Sequence, residues 1–205
     1  MRLVAASQRV DLQPDYGERR DGLDQNWARF LAACGAALLP LPNHPAAAAA
    51  ILARVPVDAV LLTGGGDLVE YGGTAPERDT VDRLLLAHAA AAGKPVLAVC
   101  RGLQFLACAH GIALARRPGH VATRHRVDWA DGSPREVNSF HNFCLPAAPE
   151  GFEVLAAAGD GTVEAMRSLD GRVLGVMWHP EREGVPDPRD IALFRDHLGV
   201  VPCVD

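Results

Sequence analysis

The chain has 205 residues, of which 49% are hydrophobic and 22% charged, a composition typical of a globular protein and too apolar for an intrinsically disordered one. It carries 20 Lys and Arg against 25 Asp and Glu, and the resulting net charge of -5 argues against a nucleic-acid partner, which normally requires a basic face. The longest apolar run, residues 45–53, is far shorter than the roughly 20 residues that cross a bilayer, so a membrane partner is not expected either.

Short apolar runs alternate with helical patterns through the first 115 residues. The runs that predict strands are 3–6, 37–41, 59–62 and 95–99. The segments that predict helices are 23–34, 45–54, 81–88 and 103–110. Three of these helices are expected to end at a glycine, namely Gly35, Gly93 and Gly111. The alternation predicts a mostly parallel sheet covered by helices on both faces.

The second half of the chain has a different pattern. Four segments have strand character and are separated by Gly and Asp turns; they are 135–138, 152–157, 163–168 and 173–177. A small antiparallel portion of three strands near the C-terminal side fits them best. A last helix is expected between Asp187, as its N-cap, and Gly199. Because no repeat or linker divides the chain, we predict one α/β domain over residues 1–205, with an open, mostly parallel, flavodoxin-like sheet flanked by helices.

Cysteine and histidine usage indicates the compartment. The five cysteines show no Cys-x-x-Cys spacing; they are Cys34, Cys100, Cys108, Cys144 and Cys203. The eight His are scattered, and no His-x-x-x-His pair with a nearby carboxylate occurs. We therefore expect no disulfide framework and no metal site. No signal-peptide core precedes the first strand, and the expected setting is a reducing cytoplasm.

A cysteine stands where a predicted strand runs into a predicted helix, in Ala98-Val99-Cys100-Arg101-Gly102. A nucleophile at such an elbow is lifted out of the sheet, and a glycine two residues later permits the tight turn. The start of the helix supplies backbone N–H groups and a positive dipole end, which favour a thiolate and an oxyanion. Cys100 is therefore a candidate nucleophile, although a cysteine that ends an apolar strand is also a common core residue.

A glycine turn follows the predicted strand 59–62, in Gly64-Gly65-Gly66. It lacks both the Gly-Lys-Ser/Thr ending and the Gly-x-Gly-x-x-Gly spacing of phosphate loops. Glycine lets the backbone approach a reacting centre closely, so a second oxyanion donor explains the turn better than a phosphate loop does. A plain turn is the alternative.

The run His179-Pro180-Glu181 follows the predicted strand 173–177. The carboxyl ends of strands in an open sheet are where ligand clefts form. A cysteine nucleophile needs a base, and the base needs a group that orients it. Taken alone these residues would be an ordinary loop, but together with the Cys100 elbow they predict a catalytic site.

Three blocks of the chain look like the three motif blocks of class I glutamine amidotransferase domains, in the same order and at similar separations. The blocks are Thr63-Gly64-Gly65-Gly66-Asp67, Val99-Cys100-Arg101-Gly102-Leu103-Gln104 and Trp178-His179-Pro180-Glu181. Within that superfamily, the Arg-Gly-Leu-Gln continuation and Val137-Asn138-Ser139-Phe140-His141 resemble the peptidase C26, γ-glutamyl hydrolase branch. The likeness covers nearly the whole chain.

This resemblance implies the class I glutamine amidotransferase fold and a Cys-His-Glu triad. It implies roles for three side chains: Cys100 as nucleophile, His179 as base and Glu181 as the group that orients the base. It also implies oxyanion donors in the backbone of Arg101 and of Gly64 or Gly65.

The resemblance extends to the binding of the γ-glutamyl group. Gln104 would touch its α-amino and α-carboxyl end. The backbone of Ser139, Phe140 and His141 would hold its carboxylate.

A narrower likeness is to small stand-alone amidotransferase-like proteins of bacterial capsule and surface-polysaccharide pathways. It rests on residues 18–21, 24–27, 41–43, 119–120, 139–143 and 177–183. The γ-glutamyl-CDP-amidate hydrolases, which leave cytidine diphosphoramidate, are one type. Arg19 and Arg20, expected on a loop at the cleft rim, or the run Arg124-His125-Arg126, would then clamp a pyrophosphate. Solvated surface or internal ion pairs are the alternative for both clusters.

The expected reaction is hydrolysis of a γ-glutamyl amide through a γ-glutamyl thioester, with no metal or organic cofactor. The expected partner is a small γ-glutamyl molecule, with γ-glutamyl-CDP-amidate as the candidate; a homodimer stays open. Three alternatives remain: a glutaminase subunit that passes ammonia to a partner synthetase, a hydrolase of γ-glutamyl amines or polyamines, and a non-catalytic binding module.

Overall fold

The computed structural model describes residues 1–200, and Cys203 lies outside them. The strands are β1 Arg2–Ala6, β2 Arg9–Gln13, β3 Glu18–Gly22, β4 Ala36–Pro40, β5 Ala59–Leu62, β6 Val96–Val99, β7 Ala115–Arg116, β8 Thr123–Trp129, β9 Pro134–Ser139, β10 Phe143–Cys144, β11 Phe152–Ala158, β12 Val163–Ser168 and β13 Val173–Val176. The helices are α1 Asn26–Ala33, α2 Pro45–Leu52, α3 Pro76–Ala92, α4 Arg101–Ala109 and α5 Pro188–His197, with short 3-10 turns at Val69–Tyr71 and Pro180–Arg182.

Nine strands form the central sheet, in the order β4-β1-β5-β6-β13-β12-β11-β8-β9. The first five are parallel, and each pairing from β13 to β9 is antiparallel. The predicted α/β sheet with an antiparallel portion in the C-terminal half is confirmed. The antiparallel part is larger than the sequence predicted because β8, whose exposed residues are charged, also belongs to it.

Helices cover both faces of the sheet, as predicted. On one face the aromatic residues of α1 and α5 meet: the rings of Phe30 and Phe194 pack edge to face, 5.1 Å apart, beside Trp27. On the other face lie α2, α3 and α4, through residues such as Leu52, Leu85 and Leu103. Burying both faces explains why the parallel strands are almost entirely apolar.

The helix ends follow from local chemistry. The side chain of Asp187 accepts a hydrogen bond from the N–H of Arg189, so the predicted N-cap of α5 is present. The helix α3 begins at Pro76, earlier than the apolar pattern predicts, because its first turn is polar and opens with a proline. It is the longest helix, with 17 residues, and nowhere in residues 1–200 does a helix have the length and apolar character that a membrane span requires.

A hairpin of β2 and β3 stands apart from the central sheet and corrects one expectation. Arg19 and Arg20 were expected on a loop, but they lie in β3. The sequence shows no sign of this strand, because both strands of the hairpin are largely exposed and therefore lack the alternation of apolar and polar residues that predicts a strand.

Candidate active site

The three motif blocks follow three neighbouring parallel strands, β5, β6 and β13. The register pairs Leu62 with Ala98, and Val99 with Val176, so the three strands end at the same edge. The N–H of Cys100 donates a hydrogen bond of 2.8 Å to the carbonyl of Val176. Parallel pairing is therefore the reason that segments far apart in the chain meet at one place.

Cys100 lies at a strained elbow between β6 and α4. Its φ of 50° and ψ of -107° fall outside the regions that non-glycine residues prefer. The turn is this tight because α4 packs directly on β5: a Cβ at Gly102 would lie 2.2 Å from the carbonyl oxygen of Leu62. Such strain persists only where the surrounding structure holds it, and it is frequent at catalytic residues. Cys100 is 5% exposed and lines a cavity of about 220 Å³.

His179 lines the same cavity and is held from both sides. Its Nδ1 lies 2.7 Å from Oε1 of Glu181, and both side chains are buried. The side chain of Asn138 accepts a hydrogen bond from the N–H of His179 and donates one to its carbonyl, each of 2.8 Å. With Nδ1 engaged by the carboxylate, Nε2 is the nitrogen that remains for a substrate.

The electrostatics of this pair favour an imidazolium. Burial disfavours the charged ring, but the charge and hydrogen bonding of Cys100 and Glu181 outweigh it and raise the pKa of His179 to about 9. A cationic ring beside a cysteine stabilises a thiolate, which is the nucleophilic form of the side chain.

The glycine turn lies against the ring of His179. A Cβ at Gly64 would be 2.4 Å from Cε1 of His179, so only glycine fits there. The buried guanidinium of Arg78 donates hydrogen bonds to the carbonyls of Thr63, Gly64 and Gly65, at 2.7 Å and 2.9 Å for the first two. Because C=O and N–H point opposite ways in a trans peptide, the N–H groups of Gly64 and Gly65 point away from Arg78.

Arg101 follows Cys100 directly, and its side chain does not line the cavity of Cys100. It is the first residue of α4, so its N–H has no partner within the helix. Its guanidinium is buried and forms ion pairs with Asp79 and Asp82 on α3. These bonds fix α3 and α4 together on one side of the elbow.

Of the residues predicted to bind the γ-glutamyl group, Gln104, Phe140 and His141 line the cavity, whereas Ser139 does not. Gln104 lines it and donates a hydrogen bond of 2.8 Å to the carbonyl of Phe143. Phe140 also lines it, with its ring 5.8 Å from that of His179. The hydroxyl of Ser139 and the N–H of His141 both donate to the carbonyl of His120, at 2.6 Å and 3.0 Å. These two bonds hold the loop, and they occupy the N–H of His141 that was expected to bind carboxylate.

The arginines predicted to bind phosphate are engaged in ion pairs. Arg19 donates a hydrogen bond of 2.9 Å to Glu77, and Arg20 one of 2.7 Å to Glu18. On β8, Arg124 pairs with Glu183 and Arg126 pairs with Asp128. None of these arginines lines the catalytic cavity.

A second cavity of about 330 Å³ adjoins the first, and both are lined by Gly65, Gly66 and Asp67. The hairpin borders it through Arg9, Val10 and Asp11. Arg19 reaches its edge, where it donates a hydrogen bond of 3.0 Å to the carbonyl of Thr74.

Sequence reasoning assigned no role to several residues that hold or line the site; they are Gly66, Asp67, Arg78, Asn138, Asn142 and Arg182. Asp67 and Asn138 stand inside motif blocks quoted above. Arg78 also left a signal, since it falls on the inner face of α3 with Val81 and Asp82, where a charged pair is unexpected.

Residues 3–181 match the family model of peptidase C26. The chain belongs to the peptidase C26 family. This family membership, within the class I glutamine amidotransferase superfamily, confirms the predicted resemblance and supports an amide-hydrolysing enzyme.

Three relatives show the range of proteins that this chain is similar to. It is 28% identical to a γ-glutamyl-CDP-amidate hydrolase of Campylobacter jejuni, over 88% of this chain and 90% of that protein. It is 33% identical to the glutamine amidotransferase-like protein YvdE of Lactococcus lactis, over 61% of this chain and 66% of that protein. It is 39% identical to a GMP synthase of a Parafrankia species, over 65% of this chain but only 25% of that enzyme.

A solved structure shares the fold. A GMP synthase subunit from Thermoplasma acidophilum superposes with a TM-score of 0.70 and 18% identity, over 97% of this chain and 94% of that one.

Proposed function

We propose that this member of the C26 family hydrolyses a γ-glutamyl amide bond by cysteine nucleophilic catalysis. The observation that carries the proposal is the strained Cys100 elbow, which opens into the same cavity as the His179–Glu181 pair. A nucleophile and a base from two segments in one cavity, with a carboxylate that orients the base, are the arrangement that acyl transfer requires.

The reaction proceeds in two steps. The thiolate of Cys100 attacks the γ-carbonyl carbon, and the backbone N–H groups of Arg101 and of Gly64 or Gly65 stabilise the resulting oxyanion. The imidazolium of His179 donates its proton to the leaving nitrogen, which breaks the amide bond and leaves a γ-glutamyl thioester on Cys100. Neutral His179 then takes a proton from water, which attacks the thioester and releases glutamate.

The walls of the cavity suit the zwitterionic end of a γ-glutamyl group. Asp67 supplies a carboxylate for its α-ammonium, and Arg182 supplies a cation for its α-carboxylate. The guanidinium of Arg182 lies 4.8 Å from the centre of the Phe140 ring, which keeps the charge at the mouth of the cavity. Gln104 adds an amide to the floor.

The candidate leaving group is cytidine diphosphoramidate, in surface-polysaccharide modification. Two observations support it: the likeness to the Campylobacter hydrolase extends over 90% of that protein, and a second cavity bordered by Arg9 adjoins the first through Gly65, Gly66 and Asp67. Arg19 and Arg20 stay proposed phosphate ligands on the same hairpin.

Release of glutamate from three substrates distinguishes the candidates. The full chain is incubated with γ-glutamyl-CDP-amidate, with glutamine and with a γ-glutamyl amine, and glutamate is quantified by mass spectrometry. We expect the nucleotide substrate to give the highest kcat/KM. A higher kcat/KM for the amine would reject the nucleotide as substrate, and no glutamate from any of the three would reject γ-glutamyl hydrolysis.

A glutaminase that delivers ammonia to a partner synthetase is the second candidate. The 39% identity to a quarter of a GMP synthase favours it. Under this alternative, glutamine would be the best substrate, and its hydrolysis would rise when the partner is added. The two candidates share the proposed triad and differ in what receives the nitrogen.

A further inference from the structure

Three imidazoles surround one buried carboxylate, and none of these four side chains has a part in the mechanism above. The carboxylate of Glu164 on β12 lies 3.4 Å from Nδ1 of His120, 3.4 Å from Nε2 of His125 and 3.5 Å from Nε2 of His141. Glu164, His120 and His141 are 1%, 4% and 3% exposed. The His125 side chain is 16% exposed and is the route by which a small solute could enter.

These contacts are long, and none of them has the geometry of a hydrogen bond. Among the described residues, the five nitrogen and oxygen atoms that face one another have no hydrogen-bond partner. The catalytic pair of the same chain shows what a hydrogen-bonded imidazole and carboxylate look like, since His179 and Glu181 approach to 2.7 Å. Buried polar atoms without partners are costly, so this cluster requires something between them.

The spacing of the atoms suits a metal ion. Zinc binds imidazole nitrogen at about 2.0–2.1 Å and carboxylate oxygen at about 2.0–2.2 Å, so the ligand atoms of a tetrahedral site lie roughly 3.3–3.6 Å apart. The nitrogens of His120 and His141 face Oε1 of Glu164 and that of His125 faces Oε2, and all three distances fall within that range. The atoms of His120, His125 and Glu164 all lie within 4.8 Å of one another.

The far nitrogens of two rings are held in the way that metal ligands require. Nδ1 of His141 lies 3.1 Å from the carbonyl of Phe143, and Nε2 of His120 lies 3.2 Å from the carboxylate of Asp160. When the ring nitrogen beside its acceptor carries the proton, in His141 or in His120, the second nitrogen of the same ring has a lone pair that faces Glu164. Such outer partners orient histidine ligands in metal sites.

The backbone of β12 is irregular at Glu164. The register pairs Ala165 with Ala156 and Val163 with Ala157, so Glu164 has no opposite residue and forms a β-bulge. Bulges re-aim side chains next to functional sites.

Cys144 offers a second donor set with His120 and His141. Nδ1 of His141, which lies 3.6 Å from the Cys144 sulfur, also lies 3.1 Å from the carbonyl of Phe143, and this contact favours the set around Glu164.

We propose that His120, His125 and Glu164 bind one zinc ion beside the catalytic cavity. Two imidazoles and a carboxylate are a donor set that zinc accepts, with one position left for a further ligand. The ion would tie the loop that carries His120 to β8 and β12, and His141, which lines the catalytic cavity, lies 3.5 Å from Glu164.

Metal content tests the site on the full chain. The purified protein is stripped with a chelator, reloaded with Zn²⁺, dialysed and measured by mass spectrometry of the metal. We expect about one zinc per chain in the wild type and in Cys100→Ala, which removes the catalytic thiol as a competing ligand. The double variant His125→Asn/Glu164→Gln should bind zinc at least about 100-fold more weakly, whereas His88→Asn, outside the cluster, should bind like the wild type.

Two further measurements do not depend on the double variant being folded. Zn²⁺ at about 1,000 times its Kd should raise the Tm of the wild type by roughly 5–15 °C. Co²⁺ bound to the wild type should show the visible bands of four-coordinate cobalt. Three results would each overturn the proposal: zinc well below one equivalent, zinc lost in Cys100→Ala but retained in the double variant, or a six-coordinate cobalt spectrum.

Discussion

At the scale of single residues, the account depends on different roles for His179 and Glu181. In the proposed mechanism His179 transfers protons in both steps, whereas Glu181 orients the ring through the 2.7 Å contact. We expect His179→Asn to lower kcat roughly 10- to 100-fold more than Glu181→Gln, by analogy with other triads. Steady-state kinetics on the best substrate measures both. Equal losses would mean that Glu181 does more than orient the base.

The raised pKa of His179 gives a second test at this scale. The imidazolium should persist to about pH 9 in the wild type, and its pKa should fall in Cys100→Ala, because the charge of Cys100 is the largest contribution that raises it. NMR titration of the His179 Cε1–H resonance measures this. An ordinary value near 6.5 in both proteins would contradict the assignment.

The same shift has a consequence for stability. The folded pKa lies above that of an unfolded histidine, so the stabilisation from the charged ring is complete below about pH 6.5 and is lost as the pH rises through about 9. The difference in free energy of unfolding between the wild type and His179→Asn should therefore shrink from pH 6 to pH 9.5. Urea denaturation measures that difference.

At the scale of elements, α3 determines the shape of the glycine turn after β5. Arg78 holds three carbonyls of that turn, so Arg78→Lys should lower kcat about 10- to 100-fold with little change in KM, because the oxyanion donors shift while the binding walls remain. Arg83→Lys on the exposed side of α3 is the matched control. A loss of Tm with unchanged kcat would assign Arg78 to stability alone.

The hairpin of β2 and β3 carries the test of the leaving group. Arg9→Ala should raise the KM for γ-glutamyl-CDP-amidate about 10-fold, and the Arg19→Ala/Arg20→Ala pair should raise it 10- to 100-fold, since a hydrogen bond to a charged group contributes about 1.5–3 kcal/mol. The KM for glutamine should not change. Arg126, which pairs with Asp128, provides the control: Arg126→Ala should change neither the KM for γ-glutamyl-CDP-amidate nor the KM for glutamine.

Two outcomes would limit this assignment. If the double variant binds the nucleotide normally, Arg19 and Arg20 form only their ion pairs with Glu77 and Glu18 and do not bind phosphate. Equal losses on both substrates would mean that the hairpin supports the fold.

At the scale of the whole molecule, the parallel half of the fold could be predicted because buried strands and glycine-ended helices leave clear patterns. The placement of Cys100, Gly64 and His179 followed from it, since parallel neighbours end at one edge. The strand β8 could not be predicted in this way, because its exposed face carries Arg124 and Arg126 and its other face carries His125. A single domain over residues 1–205 stays a prediction.

Contacts between distant segments account for what else the sequence concealed. The cluster around Glu164 joins two strands and two loops and depends on a bulge that no local pattern marks. The two hydrogen bonds between Asn138 and His179 depend on the segment after β13 lying against the end of β9. Arg78 is different, because its helical spacing from Val81 and Asp82 can be seen in the sequence, although the predicted helix began only at residue 81.

A trapped acyl-enzyme tests the central claim most directly. The chain is mixed with its best substrate, quenched in acid during the first turnover and analysed as intact protein and as peptides by mass spectrometry. We predict one γ-glutamyl group bound as a thioester to Cys100, which hydroxylamine should release. The adduct should be present in Cys108→Ala and absent from Cys100→Ala. The Cys100→Ala variant should also lose turnover. Hydrolysis that continues in Cys100→Ala, or an adduct at another residue of an active wild type, would contradict the account.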